Sequence, residues 1–178
     1  MKRRGFTIVE LVITITIMGI LLTLAVVNLN ASQANARDAE RKSDAEAIAA
    51  NLEAYYNNTN SGMSSYNGGG YYLGTQMIGD VSAVRTFLPD LDPKTLRAPG
   101  VADSSPISFI AATNNVATVA GVTPQPSASN DVYVYQPLAR DNTLCPESSS
   151  TNLACVKFNI FYFQESSGTV QMITSRHQ

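Results

Sequence analysis

One histidine, two cysteines and few charges set the first limits on this 178-residue chain. The single histidine, His177, stands beside the C-terminus, so no second imidazole is available for a metal centre or a nucleophile–base pair. A Gly-x-Ser-x-Gly elbow is missing. Gly68-Gly69-Gly70 is followed by no Lys-Ser/Thr and sits in no strand–loop–helix context, so it is not a phosphate loop. Asp131, Asp141 and Glu147 are acidic, but their spacing fits no calcium motif and reads as a solvated loop. The sequence therefore calls for no cofactor, no metal and no catalytic residue. Charged residues make up only 15%, with a formal net charge of −2, which argues against a generally nucleic-acid-binding surface. Internal repeats are absent.

Charge is scarcest near the N-terminus. From Phe6 to Leu29, 24 residues, the only ionisable side chain is Glu10. As a helix this run is long enough to cross a hydrocarbon core of roughly 30 Å. Lys2, Arg3 and Arg4 precede it and would hold the N-terminus on the cytoplasmic side. A carboxylate at membrane depth costs at least a few kcal/mol unless it finds a partner, so Glu10 reads as functional. Two plainer readings compete. A secretory signal peptide would use Ala34-Asn35-Ala36 as its cleavage site, but the apolar run is about twice the usual length and carries a carboxylate. A single-pass anchor explains the length and leaves Glu10 without a purpose.

Gly5-Phe6-Thr7-Ile8-Val9-Glu10-Leu11, behind its basic leader, resembles the processing site of type IV prepilins and the related pseudopilins of secretion and competence machines. The resemblance covers about the first 55 residues. It implies a leader over residues 1–5, cleavage by a prepilin peptidase/methyltransferase between Gly5 and Phe6, and N-methylation of Phe6. It further implies that Glu10 neutralises the Phe6 amine of a neighbouring subunit, setting register as a buried polar group does in a coiled coil. Partners implied are other copies of the chain in a helical filament, an inner-membrane assembly platform, minor pilins, and the membrane before assembly. DNA or host-surface contact by the filament stays open. So does the choice between pilus subunit, pseudopilin and, in another class, a membrane-anchored binding module that never polymerises. Gly19 falls where pilins commonly carry glycine. The proline that the family often has near Val27 is missing here, which puts local helix unwinding in the filament in doubt.

The rest of the chain is read from its residues. Ala31 to Asn57 contains no Gly or Pro and is rich in helix formers, so the helix continues. Ala45, Ile48, Leu52 and Tyr55 make one apolar stripe. Asp38–Lys42 reads as an i,i+4 pair, with Arg37, Glu40, Arg41, Asp44 and Glu46 on a wet face. The filament-core half spans 6–29, the soluble half 30–58 and the head 59–178. Within the head, residues 59–130 form an irregular connection with a short helix around Val81–Leu88 and an added edge strand at Ile107–Ala111. Residues 131–178 hold three strands, Val132–Gln136, Val156–Gln164 and Thr169–Thr174, in an antiparallel meander. Phe158, Ile160 and Tyr162 fall on one face, and Phe161 and Phe163 on the other. In an oxidising compartment Cys145 and Cys155 would pair, a closure worth roughly 2–3 kcal/mol. The expected fold class is α+β, a lollipop of one long helix on a small antiparallel head.

Overall fold

The computed structural model describes residues 5–57, 72–75, 78, 81–102, 107–115, 127–145 and 155–177. One helix, α1, runs unbroken over Ile8–Asn57, about 75 Å at 1.5 Å per residue. Its start is set by side chains. The Thr7 hydroxyl accepts the Glu10 N–H (3.2 Å), and Glu10 Oε2 accepts the Thr7 N–H (3.0 Å), the reciprocal arrangement of a capping box. Thr14, Thr16 and Thr23, poor helix formers, donate their hydroxyls to the carbonyls of Leu11, Val12 and Ile20.

The head packs on the second half of α1. Four strands, β1 (Phe109–Ala111), β2 (Tyr133–Leu138), β3 (Lys157–Gln164) and β4 (Thr169–Thr174), lie side by side in chain order. β2–β3 and β3–β4 are antiparallel, while β1 runs parallel to β2. The expected α+β architecture with its antiparallel meander is present as β2–β4, and the added edge strand β1, being parallel, makes the sheet mixed. The excursion between β1 and β2 returns the chain to the same end of the sheet, so β2 starts beside the start of β1. Alternation places Phe158, Ile160 and Tyr162 against Ala45, Ile48 and Leu52 of α1, with Phe109, Tyr133 and Tyr135 completing that core. Phe161 and Val134 face away from the helix and pack with Ala112 and Ala128 in a second, smaller cluster. The β3–β4 turn ends on Gly168 at φ +66°, a conformation that glycine adopts without strain.

The described part of the connection before β1 holds two regular elements. A short helix, α2 (Val81–Phe87), is followed by a 3₁₀ turn over Pro93–Leu96. Asp92 caps that turn by accepting the Lys94 N–H (2.9 Å), and Pro93 sits where a missing N–H costs nothing. Cys145 and Cys155 form a disulfide with their Cα atoms 5.7 Å apart. The expected flexible Asn67–Gly70 stretch lies outside the described residues.

Candidate functional site

The first half of α1 carries the unusual surface. Fifteen large apolar side chains between Phe6 and Leu29 are each about half exposed or more, from 49% at Val26 to 88% at Phe6. No described residue of the head covers them, and this is the one described helix long and apolar enough to cross a membrane. A helix apolar all round belongs among lipid tails or other helices. Leaving these side chains in water would cost on the order of tens of kcal/mol, at about 1.5–3 kcal/mol for each fully buried residue of this size. Gly19 lies in the middle of the run with open space around it within the subunit.

Glu10 is placed at the N-terminal edge of this surface by the capping box. Both Thr7 donors, N–H (3.0 Å) and hydroxyl (2.9 Å), converge on Oε2. Oε1 receives neither, so one carboxylate oxygen is committed to the helix start and the other is open. The first helical turn also offers the carboxylate the positive end of the helix dipole. Gly5 and Phe6 precede the helix in an exposed extension, accessible to a processing enzyme. Lys2, Arg3 and Arg4 lie outside the described residues. The capping box was legible in the sequence as Thr-x-x-Glu before an apolar run, a signal the reading of Glu10 as a filament residue passed over.

At the junction of the two halves the structure departs from the expected wet helix face. Asp38 and Arg41 are buried, at 7% and 2% exposure, and extend the Ala45–Ile48–Leu52 stripe by one more step in each three- and four-residue interval. Asp38 pairs with Arg41 (3.1 Å), not with Lys42, which reaches Glu46 instead (3.8 Å). Asp38 also accepts the backbone N–H groups of Glu165 (2.7 Å) and Ser166 (2.8 Å) in the β3–β4 turn. Arg37 grips Glu165 with two parallel hydrogen bonds of 2.9 and 2.6 Å, and Arg41 donates to the Asn130 carbonyl (3.2 Å). Two distant chain segments, the turn at Asn130 and the β3–β4 turn, are therefore clasped to one turn of α1. Burial pushes the Asp38 carboxyl up, but the Ser166 and Glu165 hydrogen bonds and the Arg41 charge outweigh it and hold it below the usual range. The Arg37 hydrogen bonds hold Glu165 low as well.

At the far end of α1, buried Glu53 accepts the Tyr72 hydroxyl (2.9 Å) and the Arg176 N–H (2.7 Å), and lies 3.5 Å from His177 Nε2. The chain end is thereby tied to the helix. Asp141 accepts both the N–H and the hydroxyl of Thr143, a local turn. Among the described residues no group of His, Cys, Asp and Glu has metal-binding geometry. Glu147 lies outside them.

Residues 1–26 match the family model for the prokaryotic N-terminal methylation motif. No curated protein and no solved structure matches the chain. The motif is a structural, pilin-type one rather than that of an enzyme family, and it implies processing by prepilin peptidase. With the apolar helix that it overlaps, the motif is consistent with a membrane-anchored precursor. The N-terminal segment of this chain is the hallmark segment of type IV pilin- and prepilin-like proteins.

Proposed function

We propose that the protein is a structural subunit of a type IV pilus filament that polymerises through the first half of α1. Lys2, Arg3 and Arg4 hold the leader in the cytoplasm, prepilin peptidase cuts between Gly5 and Phe6, and the new Phe6 amine is methylated. The observation that carries the reading is the uncovered apolar half of α1 with a single carboxylate at its edge. Before assembly the Thr7 hydrogen bonds offset part of the cost of holding that carboxylate at membrane depth. Cleavage after Gly5 leaves the Thr7 N–H and hydroxyl in place, so the capping box survives processing. Oε1 then accepts the Phe6 ammonium of a neighbour as the helices leave lipid and pack on one another.

An inner-membrane assembly platform and minor pilins are the partners this requires. The filament would serve adhesion, twitching motility or DNA uptake. A pseudopilin of a type II secretion or competence system uses the same assembly chemistry, and the location separates the two: an abundant surface fibre for a pilus, an envelope-confined rod for a pseudopilin. The test is Glu10→Ala in the native cell, with the protein followed in sheared surface fibres and in the membrane. The filament reading expects the fibre fraction to fall at least tenfold while the membrane pool persists. Unchanged surface display would leave a membrane-anchored binding domain that does not polymerise.

A further inference from the structure

From Asn30 to Tyr56, α1 extends about 40 Å at 1.5 Å per residue, so its far end stands well clear of any membrane holding its first half. A cavity of about 400 Å³ opens there, lined among the described residues by Tyr56, Arg140, Val156, Lys157 and His177. No described carboxylate lines it. Glu53, which lies 3.5 Å from the lining residue His177, is buried, and both its oxygens are engaged by Tyr72, Arg176 and His177. Lys157 Nζ is steadied by Asn142 Oδ1 at 3.2 Å. Arg140 makes no hydrogen bond or ion pair with any described residue. In a chain with fourteen acidic and twelve basic residues, two cations share a hollow with no described acid on its wall.

Backbone hydrogen bonds and the disulfide brace one side of the hollow. Lys157 opens β3, and the preceding Val156 N–H donates to the Leu138 carbonyl (3.0 Å) at the end of β2. Next along is Cys155, fixed by the disulfide to Cys145, whose N–H donates to the Pro137 carbonyl (3.0 Å). His177 is stacked on Tyr56 with ring centroids 4.2 Å apart, and the Tyr56–Val156 surface gives the cavity an apolar wall. Pockets of 300 Å³ and upward hold small molecules, and a few convergent polar groups on an apolar wall set their specificity.

We infer that this cavity, at the end of the head remote from the membrane, binds a small ligand bearing a phosphate or carboxylate group. Arg140 supplies the planar fork that matches an oxyanion with two hydrogen bonds, and Lys157 supplies a second positive charge. The apolar wall accepts the ring or chain that carries the anion. A lipid headgroup of the protein's own membrane lies out of reach.

The test is calorimetric titration of the full chain in non-ionic detergent with inorganic phosphate, glucuronate and, as the neutral control, glucose. Saturable binding of phosphate, of glucuronate or of both is expected, with none for glucose. Phosphate alone points to a phosphate ester, glucuronate alone to an acidic sugar. Arg140→Gln should weaken that binding at least tenfold without moving the melting temperature, because Arg140 holds no other described group. Lys157→Gln should weaken it about threefold to tenfold. Non-saturating heats for both anions, or saturable binding unchanged by Arg140→Gln, would overturn the inference.

Discussion

Replacing Arg41 by Met tests whether the junction clasp, rather than the apolar stripe alone, fixes the head on α1. The guanidinium is 2% exposed and joins Asp38, the Asn130 carbonyl and, at 3.5 Å, Glu165. Breaking a buried pair by removing one partner typically costs about 3–5 kcal/mol, because an uncompensated charge is left behind. Here the loss is smaller, since Asp38 keeps two backbone N–H donors and Glu165 keeps Arg37. The methionine side chain also fills much of the vacated volume. We expect about 2–3 kcal/mol, which for a chain of this size lowers the melting temperature by roughly 5–10 °C. Circular dichroism of the full chain in non-ionic detergent reads it, with Lys42→Met as the control. Lys42 is 62% exposed and its Glu46 contact is 3.8 Å long, so that variant should change stability by less than about 0.5 kcal/mol. A double-mutant cycle with Asp38→Asn should give a coupling of about 1–2 kcal/mol. Equal effects of Arg41→Met and Lys42→Met would refute the clasp and restore a solvated helix face.

Two further outcomes follow from the geometry. Burial raises the Asp44 carboxyl to about 6 despite the hydrogen bond it accepts from Tyr133. Its folded form holds the proton more tightly than the unfolded form, so its contribution is full below pH 4 and is lost as pH rises through about 6. Asp44→Asn should therefore flatten the stability profile between pH 4 and 6 and raise stability at pH 7 by about 1–2 kcal/mol, allowing for partial exposure. Asp38 and Glu165 act in the opposite sense: both are held low, and their contribution disappears only as pH falls below about 4. Cys145→Ser should cost roughly 2–3 kcal/mol, and dithiothreitol should lower the melting temperature of the parent chain to that of the variant. A parent melt insensitive to reductant would show that the link adds nothing to the head.

What could be read from the residues divides along physical lines. The uninterrupted helix was legible because Ala31–Asn57 combines strong propensity with no breaker, and the faces of β3 because aromatic alternation leaves one register that buries both sets. The edge strand at Phe109 was legible, but its parallel direction was not. Direction depends on where the 112–132 excursion returns the chain, and no local pattern encodes that. Asp38 and Arg41 were misplaced for a related reason. Charged residues near a helix surface usually face water, and their burial here depends on backbone N–H groups of Glu165 and Ser166, 127 and 128 residues away. The three- and four-residue spacing that runs from Leu52 back to Ala45 does continue to Arg41 and Asp38. Following that spacing past the apolar residues would have located the clasp. The Arg140–Lys157 hollow left no trace in sequence, since adjacent strand ends create it.

Mass spectrometry of the N-terminal peptide from sheared surface material of the native cell bears most directly on the filament reading. A processed filament subunit gives an abundant peptide that begins at Phe6 and is heavier by one methyl group. An intact Met1 would instead leave a membrane-anchored domain, and a start just past Ala36 would mean an ordinary secreted protein and contradict the account.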